Sequence, residues 1–456
     1  MLYMKTTRIL ALTVVLVLCS GTRIFAAETS TLPTAGTSLS RLQAIRIAVD
    51  KQPLIKAAEH EALEAQAVTK QIESANYPQI TGISANSAGN TRVLANLGIS
   101  GSLPKPTNYL TALGVRADFL ITDFGQTAHR ILAQKSQTAA AEKAVLTAKA
   151  LTILNVQQAY LTCLKQQRLV DIASEVMKER DVIRQQTEAF YRRQLRSKLD
   201  LDFASVEFNR AEVALIKAKN DLTLAFAALN TAMGLRSPVT YILEPADVAS
   251  VSEVEPDALL QQALERRPEL LGSRDRVQAA EEALKSAKAL RFGSVSAIGT
   301  MAYTWWGREE QPSGKEVSNP GAKLGWYGLG GTSSFPLYTG GRIEGQIEEA
   351  DGRRGETQAF TRAVANDIVL QVAQAYLSRL TAEQQIKVAE EKVVYAREAL
   401  VLARERYKAS LGSILDVTTA TAGFLSAEVE LAEAQYEFRA SDAALAFATG
   451  AEYGRY

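Results

Sequence analysis

The chain has 456 residues, of which 51 are Lys or Arg and 50 are Asp or Glu, giving a formal net charge of +1. This balance excludes the basic face that nucleic-acid binding requires, so no nucleic-acid partner is expected. The chain has two cysteines, Cys19 and Cys163. Because Cys19 lies in a predicted leader segment, the mature chain keeps only Cys163 and an intrachain disulfide is excluded.

The first 27 residues predict a secretory signal peptide. Positive charges precede an apolar run over residues 9–18, and small residues follow up to Ala27. An apolar run of about ten residues is too short to span a bilayer. Cys19 follows Leu18, whereas a lipidated cysteine should follow a small residue. We therefore expect cleavage near Ala27, and lipidation of Cys19 stays an open alternative.

Strand patterns follow the first predicted helix of the mature chain. Residues 109–121 alternate with a period of two, and Arg116 and Asp118 share the face opposite the apolar side chains. Residues 294–306 repeat this alternation, and two further runs are weaker. Strands of about ten residues with one apolar face are typical of membrane barrels. A soluble sheet packed on a core is the alternative.

Aromatic residues cluster on these strands or at their ends, where the girdle of a membrane barrel belongs. The predicted girdle consists of Tyr109, Tyr303, Trp305, Trp306, Trp326 and Tyr338. Four strands cannot close a barrel, since about eight is the practical minimum. An open sheet edge is too costly in lipid. If these strands enter a bilayer, the barrel must therefore be shared between chains.

Two long helical segments dominate the rest of the chain. Residues 126–233 contain neither Gly nor Pro, and residues 342–456 contain no Pro. Each segment predicts two antiparallel helices. The first helices, roughly 123–192 and 340–409, would be on the order of 100 Å long. Their apolar positions are rich in Ala, which favours close packing. The alternative, an exposed dimeric coiled coil, predicts larger Leu and Ile at strict heptad positions.

The chain is an internal tandem duplication. Matching residues recur at a spacing of 216, and the matches are too numerous for chance. They pair Phe119 with Phe335, Gly125 with Gly341, QAYL at 158–161 with QAYL at 374–377, Tyr191 with Tyr407, LRSKLD at 195–200 with LGSILD at 411–416, and AEVAL at 211–215 with AEVEL at 427–431. In each copy we expect the strand-to-helix transition at glycine: Gly125 in the first, Gly340 and Gly341 in the second.

This duplicated order resembles the TolC family of outer-membrane efflux proteins. The resemblance rests on the tandem repeat, the strand pair of each copy, the FPLYTGGR run at 335–342 and the LGSILD tip at 411–416. It covers roughly residues 39–451. It implies an α+β membrane protein in which a long antiparallel α-helical barrel continues into an outer-membrane β-barrel. The β-barrel would be shared between three protomers that contribute four strands each.

The same resemblance divides the chain into five parts. They are a signal peptide at 1–27, a first structural repeat at 39–236, an equatorial linker at 237–256, a second structural repeat at 257–451 and a C-terminal tail at 452–456.

The function implied is that of a passive exit duct for a tripartite efflux pump or a type I secretion system. Its partners would be two further copies of itself, a periplasmic adaptor, an inner-membrane pump of the RND, ABC or MFS type, and outer-membrane lipid. A non-channel periplasmic or secreted coiled-coil structural protein is the alternative. We expect no enzyme activity and no cofactor, because His60 and His129 are isolated in sequence and no nucleophile, metal-ligand spacing or phosphate loop is found.

Two kinds of site carry over from the family pattern. Asp416 falls at the first acidic position of the periplasmic gate, and the second position is occupied by Thr419. The adaptor-docking helix tips would be formed by Gln194, Leu195, Arg196, Ser410, Leu411 and Gly412. Asp416 also has a purely structural interpretation, because Ser413 and Asp416 have the spacing of a helix capping box. Gating and capping are compatible.

Overall fold

A computed structural model describes residues 36–88, 109–236, 239–245, 255–307, 322–409 and 411–451. The predicted signal peptide, the C-terminal tail, Ser410 and most of the predicted linker lie outside the described residues. Among the described helices, none is long and apolar enough to cross a membrane.

The elements follow the same order in each half of the chain. The first half contains β1 (Ser38–Leu39), α1 (Arg41–Lys51), α2 (Pro53–Glu73), β2 (Gln79–Ala88), β3 (Tyr109–Thr122), α3 (Gln126–Arg192) and α4 (Lys198–Ala232). The second half contains β4 (Ile242–Leu243), α5 (Pro256–Arg266), α6 (Pro268–Ala289), β5 (Ser294–Gly307), β6 (Ala322–Ser334), α7 (Arg342–Lys408) and α8 (Ile414–Ala448). Both α3 and α7 have 67 residues, and both α4 and α8 have 35.

Each copy opens with two helices, where the sequence predicted one. Gln52 and Arg267 are extended, with ψ near 120° in each, and separate α1 from α2 and α5 from α6. Pro53 and Pro268 follow directly. A proline disfavours the helical conformation of the residue before it, and it is tolerated at the first position of a new helix. The same break therefore occurs in both copies.

The described helices pack side by side in one layer, and this layer has two edges that no other described helix covers. Near the sheet, α2 packs on α3, α3 on α6 and α6 on α7. Toward the other end, α4 packs on α3, α3 on α8 and α8 on α7. Thus α2 and α4 lie at one edge of the layer, and α7 runs along the other. Alanines fill many of the buried positions, as the composition of these helices indicated.

A small parallel pair of strands, β1 and β4, is held against the middle of α3. The Tyr160 hydroxyl lies 2.9 Å from the Leu39 carbonyl oxygen and 2.7 Å from that of Glu244. Burial raises the pKa of Tyr160 to about 12. Its side chain is fully buried in the main apolar cluster, which also contains Cys163 and Phe226. This cluster joins the start of the first copy to the chain that follows α4.

The remaining strands form one antiparallel sheet in the order β2-β3-β5-β6. The central pair, β3 and β5, comes from different copies and runs in register from Tyr109 opposite Gly307 to Leu120 opposite Ser296. The pairing then shifts by one residue before Thr122. Strands β2 and β6 are the edges, and each is hydrogen-bonded to another described strand on one side only.

Candidate channel-forming surfaces

The chain passes from strand to helix through two equivalent left-handed turns. Gly125 (φ 95°) is the last residue before α3, and Gly341 (φ 82°) is the last before α7. The residue ahead of each is left-handed as well, with φ 57° at Phe124 and 61° at Gly340. Glycine adopts this conformation without the steric cost that a side chain adds. The first copy thus places a phenylalanine where the second has a glycine.

The Phe124 ring accounts for part of this difference. Its centroid lies 5.9 Å from that of Phe292 and 6.5 Å from that of Phe335, so three separate segments meet at the base of the sheet. All three rings remain about half exposed. Leu337 and Tyr338 follow Phe335 and are almost fully exposed. The rim where sheet meets helices is therefore apolar.

The two faces of the sheet differ in chemistry. Leu113, Val115, Met301, Tyr303 and Tyr327 share one face and are exposed there. A sheet alternates its side chains between faces, so the opposite face carries the even-numbered residues of β3 and β5. These include the small buried side chains of Ala112, Ala302 and Thr304, together with Arg116 and Asp118.

The predicted girdle residues are distributed over both faces. Tyr303 and Trp305 lie on the apolar face with ring centroids 4.7 Å apart. Trp326 pairs with Ala302 and donates its indole N–H to Thr304 Oγ1 at 3.1 Å, which places it on the opposite face. Tyr109 and Trp306 lie in β3 and β5, but their side chains are outside the described part of the structure. Which face meets lipid stays a prediction.

At the far end of the layer, both long helices end in the same way. Leu195 donates its backbone N–H to the Phe190 carbonyl, and Leu411 does the same to the Arg406 carbonyl, each at 2.9 Å. Gln194 is left-handed (φ 59°), and its N–H reaches the Tyr191 carbonyl. This is a Schellman ending, in which glycine is the usual left-handed residue. Gly412 follows in the second tip, where an added Cβ would contact Arg406.

Both hairpins then begin their second helix with a complete capping box. The side chain of Ser197 accepts from Asp200, and that of Ser413 accepts from Asp416, with the reciprocal bond present in each. The Ser413 backbone N–H reaches Asp416 Oδ2 at 2.9 Å, and this bond holds the pKa of Asp416 below its ordinary value. Thr419 lies one turn further along α8 and is exposed, as is Asp416. The capping interpretation made from the Ser-x-x-Asp spacing is confirmed.

Arginines join the tips of the two copies. The Arg196 guanidinium lies 4.5 Å from the centre of the Tyr407 ring, and its Nη2 donates to the Tyr407 carbonyl at 3.2 Å. Arg404 on α7 pairs with Glu179 on α3 at 2.7 Å. The sequence placed Arg196 at a tip, but it did not predict the contact of Arg196 with Tyr407 or that of Arg404 with Glu179. The two residues of each contact lie more than two hundred positions apart in the chain.

A third arginine of this end is buried. Only 6% of the Arg180 side chain is exposed, and its Nη2 lies 3.2 Å from the Thr418 carbonyl and 3.6 Å from Glu207 Oε2. Burial lowers the pKa of Arg180, and the nearby carboxylate of Glu207 opposes that shift. The start of α8 is therefore tied to α3 by a charged side chain in an apolar setting.

One histidine that looked isolated in the sequence has a partner. His129 Nδ1 lies 2.7 Å from Glu282 Oε2, and Lys285 lies 2.7 Å from the other oxygen of that carboxylate. The hydrogen bond from Lys285, followed by that from His129, lowers the pKa of Glu282. The expectation that His129 is isolated is therefore wrong, and the residue joins α3 to α6. No group of three or more potential metal ligands comes together in the described part of the chain.

Comparison with known protein families identifies the family of this chain. The family model described as outer membrane efflux protein matches residues 44–235 and 259–451, one segment in each copy. The chain belongs to the outer membrane efflux protein family. The TolC-type resemblance given by the tandem repeat is confirmed.

Curated relatives of this family cover most of the chain. The outer membrane efflux protein BepC of Brucella suis is 23% identical over 385 residues, which is 80% of this chain and 78% of BepC. The cation efflux system protein CusC of Escherichia coli is 23% identical over 396 residues, or 85% of this chain and 81% of CusC.

Solved structures show the same fold. A crystal structure of CusC aligns with a TM-score of 0.77 and 19% identity, covering 92% of this chain and 95% of CusC. The outer membrane protein VceC of Vibrio cholerae aligns with a TM-score of 0.75 and 22% identity, covering 90% of this chain and 96% of VceC. The α+β membrane-channel fold class predicted from the sequence is confirmed.

Membership of the outer membrane efflux protein family establishes the general function. The protein is an outer-membrane efflux channel whose long helical layer extends into the periplasm. Members of the family are channels rather than enzymes. The alternative of a non-channel coiled-coil structural protein is not supported.

Proposed function

We propose that three copies of this chain form the outer-membrane duct of a tripartite efflux assembly, and that the unpartnered edges of the single chain are the contacts between copies. The observation that carries this proposal is the presence of matching free edges in both the sheet and the helical layer. Three copies would contribute twelve strands, four from each chain.

The sheet supplies the first part of the argument. Strands β2 and β6 each leave one row of backbone N–H and C=O groups without a partner among the described residues of this chain. In hydrocarbon each unsatisfied group costs several kcal/mol, so a lipid-embedded sheet must close on itself. Pairing β6 of one copy with β2 of the next satisfies both rows and removes every open edge.

The helical layer supplies the second part. On α4, Leu199, Val206 and Val213 are exposed at intervals of seven residues. On α7, three exposed apolar side chains have the same interval: Val388, Tyr395 and Leu402. Apolar residues repeating every seven positions are the contact stripe of a coiled coil. Since α4 and α7 lie at opposite edges of the layer, the two stripes would meet between neighbouring copies.

Val206→Asp tests this seam. A carboxylate buried between α4 and the partner's α7 would be desolvated in an otherwise apolar stripe, which is strongly unfavourable. We expect loss of the heat-resistant trimer on semi-native gels and loss of conductance steps in planar bilayers. Val182→Asp is the matched control, because Val182 is similarly exposed on α3, inside the layer rather than at its edge.

Two results would contradict the proposal. One is a wild-type protein that runs as a monomer and still conducts. The other is a trimer that Val206→Asp leaves as stable as Val182→Asp does.

We also propose that the assembly is completed by a periplasmic adaptor and an inner-membrane pump, which supply docking and energy. The adaptor would contact the hairpin tips at Gln194, Leu195, Arg196, Ser410, Leu411 and Gly412. The Schellman ending of α3 and the neighbouring arginines give this end a defined shape, which supports the proposal. The girdle would consist of Tyr303 and Trp305 on the apolar face, with Tyr338 at the rim.

At the same end we propose that Asp416, with Thr419 one turn below, lines the periplasmic gate. Asp200 is the equivalent residue of the first copy and serves as the control, because it caps α4 in the way that Asp416 caps α8. Asp416→Ala should change both conductance and its cation dependence in planar bilayers, whereas Asp200→Ala should change neither.

The pH dependence follows from the direction of the pKa shift. Since the pKa of Asp416 is held below its ordinary value by the Ser413 backbone N–H, its charge and its capping contribution are fully present above the ordinary pKa of an aspartate. They are lost only as pH falls through the lowered pKa. The cation dependence should therefore persist down to about pH 4. Equal effects of the two alanine variants on conductance would mean that Asp416 only caps its helix and does not line the gate.

A further inference from the structure

The polar face of the sheet carries one charged pair. Arg116 and Asp118 lie two residues apart in β3 and therefore point to the same side. Arg116 Nε lies 3.0 and 2.9 Å from the two carboxylate oxygens of Asp118, and Nη2 lies 2.8 Å from Oδ1. The carboxylate thus receives both the Nε and the Nη2 donors of one guanidinium, which is the strongest geometry for this pair of groups.

The residues that face this pair across the described strands carry no charge. Opposite Arg116 in the sheet stand Thr81 of β2 and Thr300 of β5, and opposite Asp118 stand Gln79 and Ile298. Over the described residues of the four strands, the only other charged side chain is Lys323 of β6. Lys323 pairs with Trp305 and so lies on the apolar face, near the opposite end of the sheet.

We propose that Arg116 and Asp118 set the charge selectivity of the conduit at the level of the sheet. This inference rests on the proposed trimer, in which the apolar face meets lipid and the polar face lines the lumen. Three copies then place three guanidinium–carboxylate pairs around the lumen at one height. Because each pair is neutralised within its own strand, the ring adds no net charge and lets ions of both signs pass.

The consequence is that each partner masks the other. If Asp118 loses its charge, Arg116 has no second acid among the described strand residues, and three unpaired positive charges face the lumen. If Arg116 loses its charge, three unpaired carboxylates face the lumen instead. The Debye length is about 10 Å at 0.1 M salt and about 30 Å at 0.01 M, so the effect should grow as salt is lowered. Ions of the opposite sign are concentrated by such a ring and ions of the same sign are depleted.

The test is the reversal potential of single channels in a KCl gradient. Asp118→Asn should lower the cation-to-anion permeability ratio by about twofold or more near 0.1 M salt, and Arg116→Gln should raise it by a similar factor. The double variant Arg116→Gln/Asp118→Asn should return to the wild-type ratio, since neither charge is left unpaired. Lys323→Gln removes a positive charge from the other face and should leave the ratio unchanged.

All variants are compared as heat-resistant trimers that form channels, which separates selectivity from folding. The inference is overturned if both single variants keep the wild-type ratio or shift it in the same direction. It is also overturned if Lys323→Gln shifts the ratio as much as Arg116→Gln does. Failure of the wild-type protein to trimerise or conduct would instead count against the proposed duct itself.

Discussion

Gly293→Ala is expected to prevent the protein from reaching its folded form. Gly293 joins the end of the α6 segment to β5 with φ 79°, and a Cβ at this position would overlap the carbonyl oxygen of Ser334 at the end of β6. The nearest atoms, which belong to Ser334 and Phe335, are all backbone atoms, so the clash cannot be relieved by moving a side chain. With ψ −152°, this positive-φ conformation is one that essentially only glycine adopts, at a cost of about 1–3 kcal/mol for another residue. The overlap forces a shift of the strand pair that adds about 1–3 kcal/mol or more.

The measurement is the yield of heat-resistant protein in the outer-membrane fraction. Gly82→Ala is the matched control, because Gly82 lies within β2 and an added Cβ there meets nothing within 4 Å. We expect a near-complete loss for Gly293→Ala and a near-normal yield for Gly82→Ala. Equal yields would mean that the junction of β5 and β6 adapts more freely than its geometry indicates.

The second large effect concerns a buried ion pair that only the second copy has. Arg379 Nε lies 2.6 Å from Asp442 Oδ1, with 16% and 6% of the two side chains exposed. The Phe438 ring centre lies 5.3 Å from the guanidinium. At the equivalent places of the first copy, 216 residues earlier, stand the buried apolar side chains of Cys163 and Phe226. The same pair of helices is therefore packed by an ion pair in the second copy and by apolar side chains in the first.

Asp442→Ala should lower the free energy of unfolding by about 2–4 kcal/mol, because it removes the nearer counter-ion of a largely buried arginine and leaves Glu383 at 4.0 Å. The double variant Arg379→Cys/Asp442→Phe copies the first repeat and should recover most of that loss, since replacing a buried pair by packed apolar groups is often neutral or better. Both are measured as the midpoint of thermal dissociation and unfolding in detergent.

A double variant as unstable as the single one would show that the charged pair is required by its surroundings in the second copy. An unchanged midpoint for Asp442→Ala would show instead that Arg379 reaches solvent or Glu383 without cost.

Much of the fold could be predicted from the sequence because the duplication presents the same helix and turn signals twice. The absence of Gly and Pro from residue 126 to 233 fixed α3 and α4, and the repeated Ser-x-x-Asp spacing located the start of α4 and of α8 to the residue. The alternation of β3 correctly placed Arg116 and Asp118 on one face. These are local properties, determined by residues within a turn or a strand of each other.

What the sequence could not supply depends on contacts made across long separations. The two-residue strands β1 and β4 have no pattern of their own, and they lie where Tyr160 contacts the carbonyl groups of Leu39 in β1 and of Glu244, the residue after β4. The left-handed conformations of Phe124 and Gln194 are imposed by the turns around them, where composition would place glycine. Trp326 turns away from the apolar face because strand alternation outweighs the preference of its ring.

The equal lengths of the helices limit how such a duct can change in evolution. Each long helix packs along the shorter helix that follows it in its own copy, and α3 also packs on α6 and α8 of the other copy. An insertion of one residue in α3 would rotate all later side chains by about 100° and bury the wrong face. Only steps of about seven residues keep the stripes aligned, and each step lengthens the helix by about 10.5 Å. All the packed helices must take the step together, so the distance that the duct spans can be adjusted only in coordinated increments.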